Sequence, residues 1–249
     1  MITNIAMISH DRHRLLRQSI ESLYAHTDRE SFNLVVCDDG STDFRATKFL
    51  RELPYPNYSL VEVRNSGHVL SQLKNMAVGW SGQRFGHHDW LYISDSDVFF
   101  AQGWLDKLIA TAEVTEPHRF ALWGGQIHPF HQPLYGTNPT DWSQWDKDGG
   151  NKTVMTEHSV LDGPSWLMRW KTWRRYGPFD RTTAAGVCMS EEYPFCNKLI
   201  SGCSTYAGHR IGVINPHVVS HTGLTNSNGE PAPGYEERLK ICWPGVLYE

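Results

Sequence analysis

The chain has 249 residues, 40% of them hydrophobic, a composition that suits one α/β domain or one such domain with a decorated end. Its formal net charge of −4 argues against an extended nucleic-acid-binding protein, because such proteins usually carry a basic stripe. The sequence has no window of about 18 uncharged apolar residues, so a transmembrane helix is not expected.

Residues 1–125 alternate between strand-like and helix-like segments. Apolar runs predict strands at TNIAMIS, FNLVVCDDG, YSLVEVR and DWLYIS. Apolar residues spaced by three or four predict helices at HRLLRQSIESLYAH, DFRATKFLREL, VLSQLKNMAVGW and GWLDKLIATAEV. In the third helix, Leu70, Leu73, Ala77 and Trp80 are expected on one buried side. This alternation predicts an α/β fold with a mostly parallel sheet and helices on both faces.

The second half of the chain is less regular. Residues 128–158 are rich in Pro, Gly, Asn and Trp, and we expect a long excursion there. The segment SWLMRWKTWRRYG is expected to be a helix with a tryptophan core face and a solvated basic face, although its aromatic rings could also stack on sugars or bases. Residues 222–236 are expected to form a mobile loop or tail.

Polar clusters follow three of the predicted strands: Ser9-His10-Asp11, Asp38-Asp39-Gly40 and Asp95-Ser96-Asp97. If the sheet is parallel, all of them gather at one edge, where ligands bind in such folds. Asp95 and Asp97 lie in WLYISDSDVFF, and carboxylates at this spacing can reach one hard cation that keeps positions open for phosphate oxygens. The alternative is a pair of aspartates that only cap a turn.

Several of these segments together resemble the GT-A glycosyltransferases, specifically the family-2-like group. The resemblance covers roughly residues 3–221 and rests on VVCDDGSTD, VRNSGHVLSQLKNMAVG, YISDSDVFF, DGPSWLMRWKTWRRYGPFD, SEEYPFCNKLISGC and a downstream histidine. It implies a single Rossmann-like GT-A catalytic domain with an irregular acceptor-side C-terminal half. Residues 1–125 would be the nucleotide-sugar half, 126–221 the acceptor and catalytic half, and 222–249 a mobile loop and tail.

The resemblance implies a donor site for a nucleotide-diphosphate sugar, with a UDP-sugar as the expected donor. Donor-binding roles fall on residues at and near the strand ends: Ser9, His10, Asp39, Asn65, Gly67, Lys74, Asp95 and Ser96. Ser9 would help to cradle the uridine, and Asp39 would accept a hydrogen bond from a base N–H. The alternative for Asp39 is a turn acid that binds backbone N–H groups beside Gly40.

The metal site implied by the resemblance contains Asp97 as a direct ligand and His221, and Asp95 would reach the ribose, or the metal through water. His217 also follows in NPHVVSHTG, but His221 fits the family position better. A nitrogen ligand beside two carboxylates favours Mn²⁺ over Mg²⁺.

The general base that an inverting glycosyltransferase needs is expected in SEEYPF. The family usually has Glu-Asp here, with the second acid as base, and this chain has glutamate in the second place. Glu192 is therefore the expected base and Glu191 the second choice. The alternative is a helix-start pair that interacts with the macrodipole.

Acceptor binding is assigned by the resemblance to Asp162, Gly163, Trp166 and Arg169. The acceptor itself stays open between a glycan, a lipid-linked glycan, a protein and a modified nucleic-acid base. Five cysteines without CxxC spacing and an N-terminus unlike a signal peptide predict reduced thiols in a cytoplasmic protein.

Other functions are compatible with parts of the sequence. A retaining GT-A enzyme would not need Glu192 as a base. A nucleotide-sugar-binding protein with a degenerate site is disfavoured, because every expected acid is present. A nucleotidyltransferase is disfavoured as well, because SHDRHR after the first strand contains no glycine to cradle a triphosphate.

Overall fold

The structure is a computed structural model. It describes residues 1–64, 70–125, 140–145, 151–158, 165–180, 192–201, 208–214 and 219–221. Only the backbone is described at 140–145, 151–158, 192–194, 197, 214, 220 and 221.

The N-terminal half has the predicted alternation of strands and helices. Its elements are β1 (Thr3–Ser9), α1 (His13–His26), β2 (Phe32–Asp38), α2 (Phe44–Arg51), β3 (Tyr58–Glu62), α3 (Leu70–Phe85), β4 (Trp90–Asp95), β5 (Val98–Phe100) and α4 (Trp104–Thr115). Local chemistry sets some of the boundaries. The Asp43 carboxylate accepts a hydrogen bond from the Arg45 N–H and so caps the start of α2.

The C-terminal half contributes strands to the same sheet. Its described elements are β6 (Phe120–Gly124), β7 (Thr140–Trp145), β8 (Asn151–His158), β9 (Ser165–Arg169), α5 (Trp170–Tyr176), α6 (Glu192–Ser201), β10 (Arg210–Ile214) and β11 (Val219–His221).

Nine of the described strands form one sheet in the order β3-β2-β1-β4-β9-β6-β10-β8-β7. Strands β1 to β4 are mutually parallel, and β10 is parallel to β6. β9 is antiparallel to both β4 and β6, and β8 is antiparallel to both β10 and β7. Seven strands therefore run in one direction and two, β8 and β9, in the other, which confirms the mostly parallel sheet.

Helices cover both faces of this sheet, as predicted. Successive residues of β4 alternate between two cores: Trp90 and Tyr92 face one, and Leu91 and Ile93 face the other. Buried side chains of α1, α2 and α4 fill the first core, and those of α3, α5 and α6 fill the second. Each large apolar side chain buried in this way contributes roughly 1.5–3 kcal/mol to stability.

The expectation of a long excursion over 128–158 is wrong in part. Within that range β7 and β8 pair antiparallel and extend the sheet at its edge. The sequence between these strands contains Asp148-Gly149, a pair typical of tight hairpin turns, and this signal was overlooked. The predicted loop at 222–236 lies outside the described residues.

The expectation of one helix over SWLMRWKTWRRYG is also wrong in part. The first five residues form β9, and the helix α5 begins only at Trp170. The strand forms because β9 fits between β4 and β6, which supply hydrogen-bonding partners on both sides. The tryptophan core face is confirmed, since Trp166 and Trp170 are both buried.

The buried side of α3 differs from the expected one. Leu73 and Ala77 are buried as predicted, but Leu70 and Trp80 are 41% and 42% exposed. Polar side chains share the buried stripe in their place: Ser71, Lys74 and Ser81. This shift places a lysine inside the second core.

None of the described helices is long and apolar enough to cross a membrane. Cys37 and Cys196, the cysteines whose side chains the structure describes, are buried thiols. Burial raises the pKa of the Cys37 thiol to about 12, so it stays protonated at neutral pH. The cytoplasmic location and the division of the chain into halves at 125 and 221 stay predictions.

Candidate active site

The carboxyl ends of three adjacent parallel strands lie together. In the register of the sheet, Ser9 pairs with Asp38, and Ile8 pairs with Asp95. The polar clusters that follow β1, β2 and β4 therefore meet at one edge. We call the side chains at these strand ends the carboxyl edge.

Asp38 and Asp39 have different roles at this edge. Asp38 is buried, and its carboxylate accepts hydrogen bonds from Ser9 Oγ at 2.8 Å and from the Ser41 N–H at 3.0 Å. Asp38 therefore acts as a turn acid beside Gly40, a role considered above for Asp39. The Asp39 N–H donates to the Ser9 carbonyl at 2.9 Å, so its backbone fixes the acid at the end of β1. Its assignment to the nucleotide base stays a prediction.

The loop after β1 is tied to the loop after β2 through Asp11. The Asp11 carboxylate accepts from the N–H groups of Thr42 at 2.6 Å and Asp43 at 2.7 Å. Although desolvation by burial raises it, these hydrogen bonds hold the pKa of Asp11 below its usual 3.8. His10 also contacts this loop, with Nδ1 2.9 Å from the Asp39 carbonyl oxygen. The two loops therefore behave as one unit.

The backbone at Asp11 and Arg12 is left-handed, with φ values of 52° and 50°. Glycine adopts this backbone conformation readily and Asn and Asp less so, while other residues rarely adopt it. Such strain persists where the surroundings enforce it, and it concentrates at functional sites. Here the hydrogen bonds of Asp11 enforce it.

The acidic turn connects β4 and β5. Asp95 ends β4, and Ser96 and Asp97 form the buried turn before Val98. Val98 and Phe100, which follow the turn, are fully buried and anchor it in the core. The carboxylates are thus fixed at the carboxyl edge by apolar packing on both sides.

Two cations lie beside these carboxylates. Arg12 Nη1 is 3.3 Å from Asp97 Oδ2, and Lys74 Nζ is 3.9 Å from Asp95 Oδ1. Only 1% of the Lys74 side chain is exposed, and its ammonium lies 5.9 Å from the ring centre of Trp166 and 6.0 Å from that of Phe179. Lys74, predicted to bind the donor, therefore contacts an acid of the site from within the core.

The predicted third metal ligand is also brought to this place. β11 pairs antiparallel with β5, and His221 lies opposite Val98, the residue after Asp97. Opposed residues of antiparallel strands have Cα atoms roughly 4.5–5.5 Å apart. The backbone of His221 is therefore beside the acidic turn, while its side chain is outside the description.

Several predicted site residues cannot be placed. Asn65, Gly67, Asp162, Gly163 and Glu191 lie outside the described residues. Glu192 is the first residue of α6, and only its backbone is described. The roles of these residues stay predictions.

A divalent cation fits the donor set at the acidic turn. The carboxylates of Asp95 and Asp97 offer the oxygen ligands that Mg²⁺ and Mn²⁺ accept. A nitrogen ligand from His221, as predicted from the sequence, would favour Mn²⁺. Among the side chains that the structure describes, no group of three or more His, Cys, Asp or Glu forms a complete metal site. His221, the third ligand predicted from the sequence, has its side chain outside that set.

Of the two acceptor residues predicted in β9, Trp166 lies in the core near the carboxyl end of β4, and Arg169 lies at the other end of that strand. Trp166 is buried, and its ring packs against those of Phe179 and Phe195. Arg169 pairs with Trp90 at the start of β4, so it lies at the opposite end of the strand from Asp95. There its guanidinium binds Glu116 at 2.9 Å. Arg169 is therefore not brought to the carboxyl edge, whereas the ring of Trp166 lies beside Lys74, which contacts Asp95. The acceptor role of Trp166 stays a prediction.

Two contacts of the site were missed by the sequence interpretation. Arg12 is 85 positions from Asp97, and no local pattern marks that pair. Asn75 clamps the backbone of Phe179 with two hydrogen bonds, one donated and one accepted, each 2.9 Å long. Asn75 and Phe179 are 104 positions apart, so the residues around Asn75 do not indicate this contact.

Comparison with known proteins identifies the family and the fold of the chain. The model of the family described as glycosyl transferase family 2 matches residues 4–171. S. aureus TarS, in a structure with UDP-GlcNAc, is 16% identical with a TM-score of 0.57, covering 88% of this chain and 57% of that one. The search among curated protein sequences gave no match.

Two further structures are similar in fold. The mannosyltransferase PcManGT from Pyrobaculum calidifontis, in complex with GDP-Man and Mn²⁺, is 15% identical with a TM-score of 0.55, covering 85% of this chain and 56% of that one. GalNAc-T7, with UDP, GalNAc and Mn²⁺, is 14% identical with a TM-score of 0.62, covering 98% of this chain and 48% of that one. The GT-A fold is thereby confirmed, and the chain spans about half to three fifths of the length of these proteins.

Proposed function

We propose that this chain, which belongs to glycosyl transferase family 2, transfers a sugar from a nucleotide-diphosphate donor to an acceptor with the help of a divalent cation. The observation that carries the proposal is the carboxyl edge. There the strand register gathers Asp39, Asp95 and Asp97, and Asp97 is buried at its turn. Acids buried at the carboxyl ends of parallel strands fit a ligand that arrives with its own metal.

The donor is proposed to be a UDP-sugar. Uridine diphosphate compounds are present in the TarS and GalNAc-T7 structures, whereas PcManGT holds GDP-Man. In this chain Ser9, His10 and Asp39 would surround the base, and Asn65, Gly67 and Ser96 would contact the rest of the nucleotide. Guanosine nucleotides are the alternative that a binding experiment must include.

The cation is proposed to be Mn²⁺, with Mg²⁺ as the alternative. Asp97, Asp95 and His221 would hold it, and it would neutralise negative charge on the departing diphosphate. Mn²⁺ is present in two of the similar structures. The packing around the acidic turn would keep both carboxylates in place while the donor binds and leaves.

Transfer is proposed to invert the anomeric carbon. Glu192, at the start of α6, would take the proton from the acceptor hydroxyl as that oxygen attacks the sugar, and the bond to the diphosphate would break in the same step. Glu191 is the second choice for this role. The acceptor could be a glycan, a lipid-linked glycan, a protein or a modified nucleic-acid base.

Glu192→Gln tests the base separately from the donor site. We expect it to retain nucleotide binding and to lower turnover by about 10²-fold or more, because general-base catalysis contributes that much. UDP release can be followed with water in place of the acceptor, and Glu191→Gln is the matched control. Unchanged turnover in Glu192→Gln would remove the base assignment. Retained anomeric configuration in the product, read by NMR, would favour the retaining alternative.

A further inference from the structure

Arg12 contacts a residue that the proposed function assigns to the metal. Its Nη1 lies 3.3 Å from Asp97 Oδ2, and the side chains of the two residues are 31% and 5% exposed. A partly exposed guanidinium thus reaches a carboxylate that is almost fully buried. Because water barely reaches the Asp97 carboxylate, its attraction to a neighbouring positive charge is strong. Because the Arg12 side chain is partly exposed, its guanidinium has room to change partners.

The backbone around Arg12 is shaped to hold it at this position. Asp11 and Arg12 both have left-handed φ values, and Arg12 is the residue that precedes the first turn of α1. Asp11 cannot relax easily, because its carboxylate binds the N–H groups of Thr42 and Asp43 in the next loop. The loop therefore keeps Arg12 between the end of β1 and the acidic turn.

We infer that Arg12 is a counter-ion that exchanges partners during donor binding. It neutralises Asp97 while the metal site is empty, and it moves to a phosphate oxygen of the nucleotide when a cation binds Asp97. The inference rests on the proposed function, since it takes Asp97 as the metal ligand.

The exchange follows from charge and geometry. The Arg12 guanidinium is 3.3 Å from Asp97 Oδ2, so a cation held by the Asp97 carboxylate would repel it and favour its movement to another anion. Arginine has a planar fork of donors that fits phosphate oxygens. A donor diphosphate bound to the cation brings such oxygens to the carboxyl edge, within the region that Arg12 already occupies.

The consequence is a coupling between metal and nucleotide. A metal that binds alone must displace Arg12 from Asp97 and leave the guanidinium without its acid. A metal that binds with a nucleotide gives the guanidinium a new anionic partner. Each ligand therefore strengthens the binding of the other by more than their direct contact provides, and by linkage the effect is reciprocal.

Titration with Mn²⁺, followed by the EPR signal of the free ion, measures this coupling. It is done on the full chain with and without UDP, and again with GDP. The test variant is Arg12→Asn, because asparagine tolerates left-handed φ and serves well before a helix start, so the variant should fold. Arg12→Lys retains the charge without the fork. Arg17→Asn is the control, since Arg17 lies on α1, the helix that Arg12 precedes, and pairs with Glu21 at 2.7 Å.

Without nucleotide, we expect Arg12→Asn to bind Mn²⁺ about fivefold more tightly than the wild-type chain, because a competing cation is gone. We expect the strengthening of Mn²⁺ binding by the nucleotide to fall by about fivefold or more, within the usual range of coupling between sites. Arg12→Lys should bind Mn²⁺ alone like the wild type but lose part of the strengthening. Arg17→Asn should match the wild type in both.

Either half of this result can overturn the inference. Arg12→Asn with unchanged or weaker Mn²⁺ binding in the absence of nucleotide would show that Arg12 does not compete for Asp97. Full strengthening by the nucleotide in both Arg12 variants would show that Arg12 does not move to the diphosphate. If Arg12→Asn does not fold, Arg12→Lys decides alone. Full strengthening of its Mn²⁺ binding by the nucleotide would show that Arg12 does not move to the diphosphate.

A failure of the proposed function gives a different result. If the wild-type chain binds no Mn²⁺ with either nucleotide, or if Asp97→Asn binds it as well as the wild type, the metal assignment is wrong and the inference is overturned with it. If the wild type binds Mn²⁺ and Asp97→Asn does not, the proposed metal site stands, and the Arg12 variants decide the inference alone.

Discussion

Both ends of β4 carry ion pairs, but those at its start differ from those at its end in length and in the strain of the backbone. At the start, Arg169 donates twice to Glu116, at 3.1 and 2.9 Å, and Lys171 binds the same acid at 2.6 Å. Arg169 also lies over the Trp90 ring at 3.7 Å. We call this group the Glu116 cluster.

The carboxyl edge at the end of β4 is arranged differently. Asp97 and Asp95 have cations at 3.3 and 3.9 Å, distances longer than those of the Glu116 cluster. The backbone that delivers Arg12 is left-handed, whereas that of Arg169 is extended. Short, mutually satisfied pairs on relaxed backbone are what a structural cluster needs. A longer pair on a buried acid, such as Arg12 with Asp97, held by strained backbone, is what a site needs if the partner must be replaced by a ligand.

Asp97→Asn should have the largest effect. We expect turnover, measured as UDP release, to fall by about 10²-fold or more. The reason is that the variant should weaken binding of the proposed cation, which stabilises the leaving diphosphate. Glu116→Gln is the matched control, since it also replaces a carboxylate with an amide but at the other end of β4. Wild-type turnover in Asp97→Asn, or an equal loss in Glu116→Gln, would remove the distinction between the two ends.

Lys74→Met should have the next largest effect, on stability. Lys74 is buried and Asp95 is 25% exposed, so the change leaves a partly hydrated carboxylate without this cation, at a cost of about 2 kcal/mol. Urea unfolding measures the free energy change. Each single change is costly because it leaves the other charge without its partner. The double variant Lys74→Met with Asp95→Asn removes both charges and should therefore be more stable than the sum of the single changes predicts. Strictly additive changes would show that Lys74 and Asp95 do not interact.

Glu116→Gln should have the smallest effect, about 1 kcal/mol at pH 7. Although desolvation by burial raises it, the hydrogen bonds from Lys171 and Arg169 hold the pKa of Glu116 below its ordinary 4.5. A lowered pKa in the folded state means that the charged form stabilises the fold above pH 4.5, and that this contribution disappears as the pH falls through the folded-state value. The stability difference between Glu116→Gln and the wild type, from urea unfolding at several pH values, should therefore shrink below that pH. A constant difference would contradict the ion-pair explanation.

Much of the N-terminal fold could be predicted from the sequence because its signals are local. Apolar runs and helical spacing identified β1 to β4 and α1 to α4 within a few residues. β9 was mistaken for helix because its state is decided by pairing with β4 and β6, which are distant in sequence. The buried face of α3 was mistaken because a lysine is stable in a core only beside an acid, and Asp95 is 21 positions away from it.

The candidate site was predictable to a similar extent. Asp95 and Asp97 stand out because two carboxylates interrupt an apolar run, and strand order brings them to the ends of β1 and β2. The division of roles between Asp38 and Asp39 depends on which carboxylate faces Ser9 and Ser41. The identity of the neighbouring residues in the sequence does not reveal that. Arg12 could not be assigned, because its contact with Asp97 depends on two left-handed residues that no sequence pattern specified.

The most direct test of the proposed function is thermal unfolding of the wild-type chain with UDP and GDP, each with and without Mn²⁺. A ligand at about 100 times its dissociation constant adds roughly 2.7 kcal/mol to the stability of the folded state, which is a clear shift of the midpoint. We predict that UDP raises the midpoint only when Mn²⁺ is present. A shift with GDP in place of UDP would retain the metal site and change the donor. No shift with either nucleotide and the metal would contradict the donor site proposed at the carboxyl edge.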